Sequence, residues 1–110
     1  MLSHKQDYGK MIALCAADFD IRYALFSKRK DLYVGYYDPE HRLTTAKRDI
    51  TGNWDFVKLT ERVNWDSHKF INIAVDAKDI IHVTANMHCE PLVYYKSQSP
   101  GDIHTLKNKV

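Results

Sequence analysis

Short β-prone segments separated by polar turns recur along most of the chain, and their regular spacing limits the folds that the sequence can adopt. Turn signals follow one another about every 8–12 residues, a spacing typical of sandwiches, barrels and propeller blades. Seven strands are predicted, at residues 21–26, 31–37, 42–48, 54–59, 70–75, 80–85 and 91–96. No segment keeps a sustained helical period, although residues 10–17 suit either a helix or a strand. The pattern therefore predicts an all-β fold of antiparallel hairpins.

One turn carries a more specific pattern. Asp49, Gly52 and Trp54 form Asp-x-x-Gly-x-Trp between two predicted strands, and this resembles a degenerate Asp-box of sialidase-type propellers. In such a box the Asp caps a hairpin and the Trp packs between strands, but here the Gly sits one position late. A plain hairpin explains the same residues equally well.

Charge and cysteine content favour no special partner. The 110 residues, enough for one small domain, carry 16 Lys and Arg against 14 Asp and Glu, a formal charge of +2. The densest basic run, residues 28–30, is ended by Asp31, so we interpret it as a solvated loop and expect no nucleic-acid partner. Cys15 and Cys89 lack metal-ligand spacing and are interpreted as buried thiols.

The apolar stretch at residues 11–17 is short, and Asp7 and Asp18 flank it. It is a poor signal peptide and is much too short to span a bilayer. We therefore expect no membrane association, and the sequence leaves the localisation open.

A polar face on one predicted strand marks the candidate site. Residues two apart on a strand share a face, so His82, Thr84, Asn86 and His88 are expected to point away from the core. His68 precedes the partner strand, and the hairpin should bring it to the same end of the sheet as His88, with the imidazoles ~5–10 Å apart. Two histidines with Asp66 nearby suit proton abstraction, and suit a metal less well because few ligands are visible. Surface or core histidines with satisfied hydrogen bonds are the structural alternative, and the residues alone leave both open.

Several of these segments resemble the BNR-repeat-containing family, which includes ulvan lyases with a seven-bladed β-propeller fold. The resemblance spans roughly Ile21 to Ile103, and its most specific part is the pair Asp-Ser-His and Asn-Met-His. The matching segments are residues 32–38, 42–48, 65–68, 81–88 and 91–95. Lys69 and Ala85 depart from the family pattern, which often has Asn and Gly at these positions.

The resemblance implies a reaction. Family lyases cleave a uronic-acid-containing polysaccharide by β-elimination, without a metal or other cofactor. By matching motifs, His68 corresponds to the histidine of proton transfer and His88 to the one near the substrate carboxylate. Asn86 would assist His88, and Asp66 and Lys69 would contact the substrate. Family members are typically exported, although the chain shows no clear signal peptide.

The expected organisation is an N-terminal extension at residues 1–20, a partial β-propeller at 21–103 and a polar tail at 104–110. About seven strands amount to one and a half blades, so we interpret the chain as a fragment that is inactive alone. Its expected partner is an acidic polysaccharide, and unpaired blade faces should favour self-association. The alternatives are a non-catalytic carbohydrate-binding or scaffold segment, and a small independent β-sandwich.

Overall fold

A computed structural model describes residues 11–15, 23–62, 70–85 and 93–109 of the chain. These residues form two four-stranded antiparallel sheets, with strand orders β1-β2-β3-β4 in sheet 1 and β5-β6-β7-β8 in sheet 2. The strands are β1 Ala24–Lys28, β2 Asp31–Tyr37, β3 Arg42–Arg48, β4 Trp54–Arg62, β5 Asn72–Val75, β6 Ile81–Ala85, β7 Val93–Ser97 and β8 Leu106–Asn108. A 3₁₀ turn at Ile103–Thr105 is the one helical element of the described part. The all-β fold of antiparallel hairpins is confirmed.

The observed strand count differs from the predicted one. All seven predicted strands are present within a few residues, and an eighth, β8, falls in the segment expected to be a polar tail. β8 has a single apolar residue, Leu106, and is held by backbone pairing to β7, such as Ser97 with Leu106. A hydrophobic pattern cannot reveal such a strand, so the estimate of one and a half blades becomes two complete four-stranded sheets.

The core lies between the two sheets. β5, β6 and β7 each alternate buried and more exposed residues, so one face of sheet 2 is apolar and packs on sheet 1. β1 and β2 contact β5 across this interface. Burying each aliphatic side chain contributes about 1.5–3 kcal/mol. The cluster contains Tyr33, Tyr37, Leu43, Leu59, Ile71, Ile73, Val75, Ile81, Val83, Ala85, Val93, Tyr95 and Ile103.

Three hairpin turns share one hydrogen-bond pattern, and each begins with an aspartate: Asp38, Asp49 and Asp76. In each turn the Asp Oδ1 accepts from the backbone N–H groups two and four residues later, at 2.9–3.1 Å. The fourth residue of each turn has a positive φ, with 64° at His41, 88° at Gly52 and 65° at Asp79. This is the three-residue hairpin loop in which a type I turn is followed by a left-handed residue. The predicted capping role of Asp49 is therefore confirmed, and two further turns repeat it without glycine.

Ionic contacts join the two sheets at the end where the Asp49 and Asp76 turns lie. Asp79 accepts from Arg29 Nη1 at 2.9 and 3.0 Å and lies 2.7 Å from Lys28 Nζ, which also donates to the Asp76 carbonyl. Lys47 Nζ donates to the carbonyl of Gly101 at 2.6 Å. Two cations of the basic run at residues 28–30 are thus bound to sheet 2.

β2 approaches the chain just before β5 closely at Gly35. A Cβ atom at this position would lie 2.9 Å from Cγ2 of Ile71, closer than real Cβ atoms come to a neighbour. Both residues are buried, and Ile71 is 7 % exposed. The absent side chain of Gly35 therefore allows β2 to pack against the chain just before β5.

We expect Gly35→Ala to lower the free energy of unfolding by about 1–3 kcal/mol, because it overpacks this contact. Ile71→Leu removes the Cγ2 branch at nearly constant volume, so the same glycine substitution should cost less in that background. Urea or thermal unfolding of the four proteins measures the coupling. An equal cost in both backgrounds would contradict the close approach.

Candidate functional site

The five sequence-predicted site residues lie outside the described residues, in two segments that flank β5 and β6. Asp66, His68 and Lys69 fall in residues 63–69, and Asn86 and His88 fall in residues 86–92. Their predicted roles and the predicted distance between the two imidazoles stay predictions.

The described strands do fix where these two segments attach. β5 begins at Asn72, β6 ends at Ala85, and the antiparallel register pairs Asn72 with Thr84 and Val75 with Ile81. Residues 63–69 lead toward the first residue of β5, and residues 86–92 follow the last residue of β6. Both segments therefore join sheet 2 at the same end, opposite the Asp76 turn.

The polar face predicted for β6 is present over the described part of that strand. Ile81, Val83 and Ala85 are at most 1 % exposed and pack in the core, whereas His82 and Thr84 are half-buried on the opposite face. We call this opposite side the outer face of sheet 2; it comprises Asn72, Ala74, His82, Thr84, Tyr94 and Lys96.

A hydrogen-bonded chain of three side chains crosses the outer face of sheet 2. His82 Nε2 lies 2.9 Å from Asp76 Oδ2, and His82 Nδ1 lies 2.7 Å from Tyr94 Oη. The imidazole and phenol rings are nearly parallel, at 8°, with centroids 5.9 Å apart. In the neutral tautomer with the proton on Nε2, the imidazole donates to Asp76 and accepts from the Tyr94 hydroxyl.

The Asp76 carboxylate is hydrogen-bonded both to the backbone of its turn and to His82. Its Oδ1 accepts from the backbone N–H groups of Lys78 and Ile80, which leaves Oδ2 for His82. These bonds stabilise the carboxylate, so the pKa of Asp76 falls from 3.8 to about 2, with the His82 hydrogen bond as the largest cause and the Ile80 N–H next. Asp76 is therefore ionised at neutral pH.

The Asp76–His82–Tyr94 chain can orient an imidazole and hold a proton between two oxygen atoms. It also ties the β5–β6 turn to β7, and this structural role requires no substrate. Alternation along the strand placed His82 correctly, whereas the roles of Asp76 and Tyr94 were not predicted from the sequence. The available signal was the spacing, because a tight hairpin brings Asp76 close to the second residue of the returning strand.

The described residues contain no cluster of three or more His, Cys, Asp or Glu side chains able to hold a metal ion. Within the same residues, no helix has the length and apolar character needed to cross a membrane. Cys15, interpreted from the sequence as a buried thiol, is exposed, whereas Cys89 lies outside the described residues.

Two face-packed, four-stranded antiparallel sheets define a repeat-built all-β protein, consistent with partial propeller blades. A model of the BNR repeat-containing family matches residues 31–110, from the start of β2 onward, and the chain belongs to this family. The resemblance of the sequence to the BNR-repeat-containing family is therefore confirmed. A search of curated proteins returned no match.

We expect Asp76 to make stability depend on pH in the acid range. Because its folded pKa of about 2 lies below the unfolded value of 3.8, its stabilising effect is complete above about pH 4 and is lost as the pH falls toward 2. Thermal unfolding of the wild type and Asp76→Asn between pH 2 and 6 measures the effect. The difference in Tm should shrink as the pH falls, and a constant difference would contradict the assignment.

Proposed function

We propose that the chain is part of a carbohydrate-active β-propeller whose full-length parent cleaves a uronic-acid-containing polysaccharide by β-elimination. Residues 21–103 would form the propeller part. The observation that carries the proposal is the β5–β6 hairpin, which attaches the segments with His68 and His88 at one end of a sheet in a BNR-repeat protein. An ulvan-like polymer is the proposed substrate because the motifs resemble those of ulvan lyases.

In the proposed reaction, a neutral His68 removes the proton at C5 of the uronate. The electron pair forms the C4–C5 double bond while the C4–O bond breaks, and an acid protonates the leaving oxygen. His68 suits the role of base because an unperturbed imidazole has a pKa near neutrality. We propose that the acid and an arginine come from further blades.

Removal of the C5 proton places negative charge next to the substrate carboxylate, so donors must be present where the charge develops. We assign His88 to that carboxylate, with Asn86 assisting it. Asp66 and Lys69 would contact neighbouring parts of the polymer, and Lys69 adds a positive charge suited to an acidic substrate. No cofactor takes part in this scheme.

A non-catalytic carbohydrate-binding or scaffold role is the second candidate. It is favoured by the outer face of sheet 2, where His82 is fully engaged by Asp76 and Tyr94 and holds a hairpin in place. In that case the chain binds the polymer and no unsaturated product forms. Neither candidate involves a nucleic acid or a membrane, and self-association through unpaired sheet faces is proposed for both.

We expect the 110-residue chain to bind ulvan or another polyuronide without forming unsaturated uronyl product. Lyase catalysis needs base, acid and carboxylate donors together, and losing members of such a set lowers rates by orders of magnitude. Near-ultraviolet absorbance follows the product, and affinity electrophoresis follows binding. His88→Gln should weaken binding of the polyuronide but leave binding of its carboxyl-reduced form unchanged.

Lys96→Gln is the matched control, because Lys96 is exposed and lies on the outer face of sheet 2. Steady product formation that disappears in His68→Ala would show that the site is complete within these residues. Equal binding by the wild type and His88→Gln would contradict the proposed carboxylate site.

A further inference from the structure

An aromatic and basic stripe runs along the edge strand of sheet 1. We call it the β4 stripe and define it as Arg48, Trp54, Phe56 and Lys58. Residues 54, 56 and 58 share one face of β4, and Arg48 is paired directly with Trp54 across β3 and β4. Val57 lies on the opposite face and packs against the core, so the β4 stripe is on the side of sheet 1 turned away from sheet 2.

The side chains of the β4 stripe form a continuous row. The ring centroids of Trp54 and Phe56 are 6.2 Å apart with an interplanar angle of 25°, and the Arg48 guanidinium lies over the Trp54 ring, 5.9 Å from its centroid. Trp54 is half-buried, whereas Phe56 is 39 % exposed. Two accessible rings in line thus have a guanidinium group at one end.

The ammonium group of Lys58 lies at the other end of the row, next to a buried carboxylate. Lys58 Nζ lies 3.2 Å from Oδ2 of Asp38, a carboxylate whose side chain is 5 % exposed. Asp38 Oδ1 is bound by the backbone N–H groups of Glu40 and Arg42, so the carboxylate cannot turn away. The Lys58 side chain remains 58 % exposed, and its remaining N–H groups can reach solvent or a ligand.

Arg48 is an exposed cation of the β4 stripe. It makes no ion pair with any carboxylate of the described residues, and its guanidinium contacts the Trp54 ring. It also lines an open surface cavity of about 450 Å³ together with Arg29, Lys30, Asp31 and Asp49. Three cations and two carboxylates line this cavity, so the excess charge on this surface is positive.

We propose that the β4 stripe binds an acidic polysaccharide, as a second contact site separate from the His68 and His88 end. The aromatic rings would stack on the apolar faces of sugar rings, while Arg48 and Lys58 pair with carboxylate or sulfate groups. The inference rests on the proposed carbohydrate function and adds to it a surface and a charge requirement. Arg suits planar carboxylates because its donors form a rigid fork.

The position of the β4 stripe in the fold favours a polymer, rather than another sheet, as its binding partner. Sheet 1 contacts β5 through β1 and β2, whereas β4, at the opposite edge of sheet 1, contacts the Ile103–Thr105 turn through the face that bears Asp55, away from the β4 stripe. In a radial arrangement of sheets the edge strands farthest from the centre are the least covered. Charged groups at both ends of an aromatic row also suit an anionic chain better than an apolar sheet face.

The test compares variants of the 110-residue chain by affinity electrophoresis in ulvan, in desulfated ulvan and in carboxyl-reduced ulvan. We expect Trp54→Ala to weaken binding about fivefold or more, because it removes a stacking ring. Arg48→Gln should weaken binding about threefold or more for the polymers that keep the recognised anion. Trp54→Phe should restore most of the affinity, which separates a binding role from a folding defect.

Phe70→Ala and Lys96→Gln are matched controls, because both residues are exposed and lie away from the β4 stripe. Equal affinity of the stripe variants and these controls would overturn the proposal. Light scattering is run in parallel, and conversion of an oligomer to a monomer by Trp54→Ala without a change in affinity would identify a second copy of the chain as the occupant and would also overturn it.

The outcome is separable from that of the proposed function. Loss of binding in His88→Gln with full binding in the stripe variants refutes the β4 stripe and leaves the proposed function standing. Loss in the stripe variants with full binding in His88→Gln supports the β4 stripe and refutes the assignment of His88 to the substrate carboxylate.

Discussion

The aspartate-capped turn at residues 76–80 is the constraint on which the second sheet depends. One carboxylate fixes two backbone N–H groups with Oδ1, and Asp79 adopts the left-handed conformation that closes the loop. This turn sets the register of β5 on β6, and a shift of one residue would move every apolar side chain of a strand to the other face. The burial of Ile81 and Val83 and the exposure of the opposite face therefore both follow from it.

The same turn connects the two sheets and stabilises the polar face. Asp79 forms ion pairs with Lys28 and Arg29 on the sheet 1 side. Asp76 is hydrogen-bonded to His82, and His82 is hydrogen-bonded to Tyr94 of β7. Each contact is modest alone, since exposed ion pairs contribute at most about 1 kcal/mol. The apolar core supplies most of the stability, and the polar contacts select one arrangement of the sheets.

Local patterns predicted much of this fold. β2 and β3 begin and end at the predicted residues, and the Asp-initiated turns follow from the preference of Asp for such loops. β8 was missed because three residues with one apolar side chain carry no periodic signal. The contacts of Lys28 and Arg29 with Asp79 join residues about fifty positions apart, and only the packing of one sheet on the other brings them together.

The candidate site was predictable to a smaller extent. Alternation along β6 correctly placed His82 and Thr84, and the hairpin correctly predicted that the segments at 63–69 and 86–92 attach at one end. The hydrogen bond between His82 and Tyr94 was not predictable, because it depends on rotamers and on the diagonal offset of Tyr94 across β6 and β7. Strand periodicity does not determine the side-chain positions of His68 and His88, which lie outside the described residues.

We propose that His68 and His88 meet at the end of sheet 2 opposite the Asp76 turn. Continuous-wave electron paramagnetic resonance on nitroxide pairs tests it most directly, in a background with Cys15 and Cys89 replaced by serine. Labels at positions 68 and 88 should show strong dipolar broadening, because the two segments join adjacent strands ~5 Å apart. Labels at positions 68 and 78 should show much less, because Lys78 lies in the turn at the far end of the hairpin. Stronger broadening for the 68–78 pair than for the 68–88 pair would contradict the account.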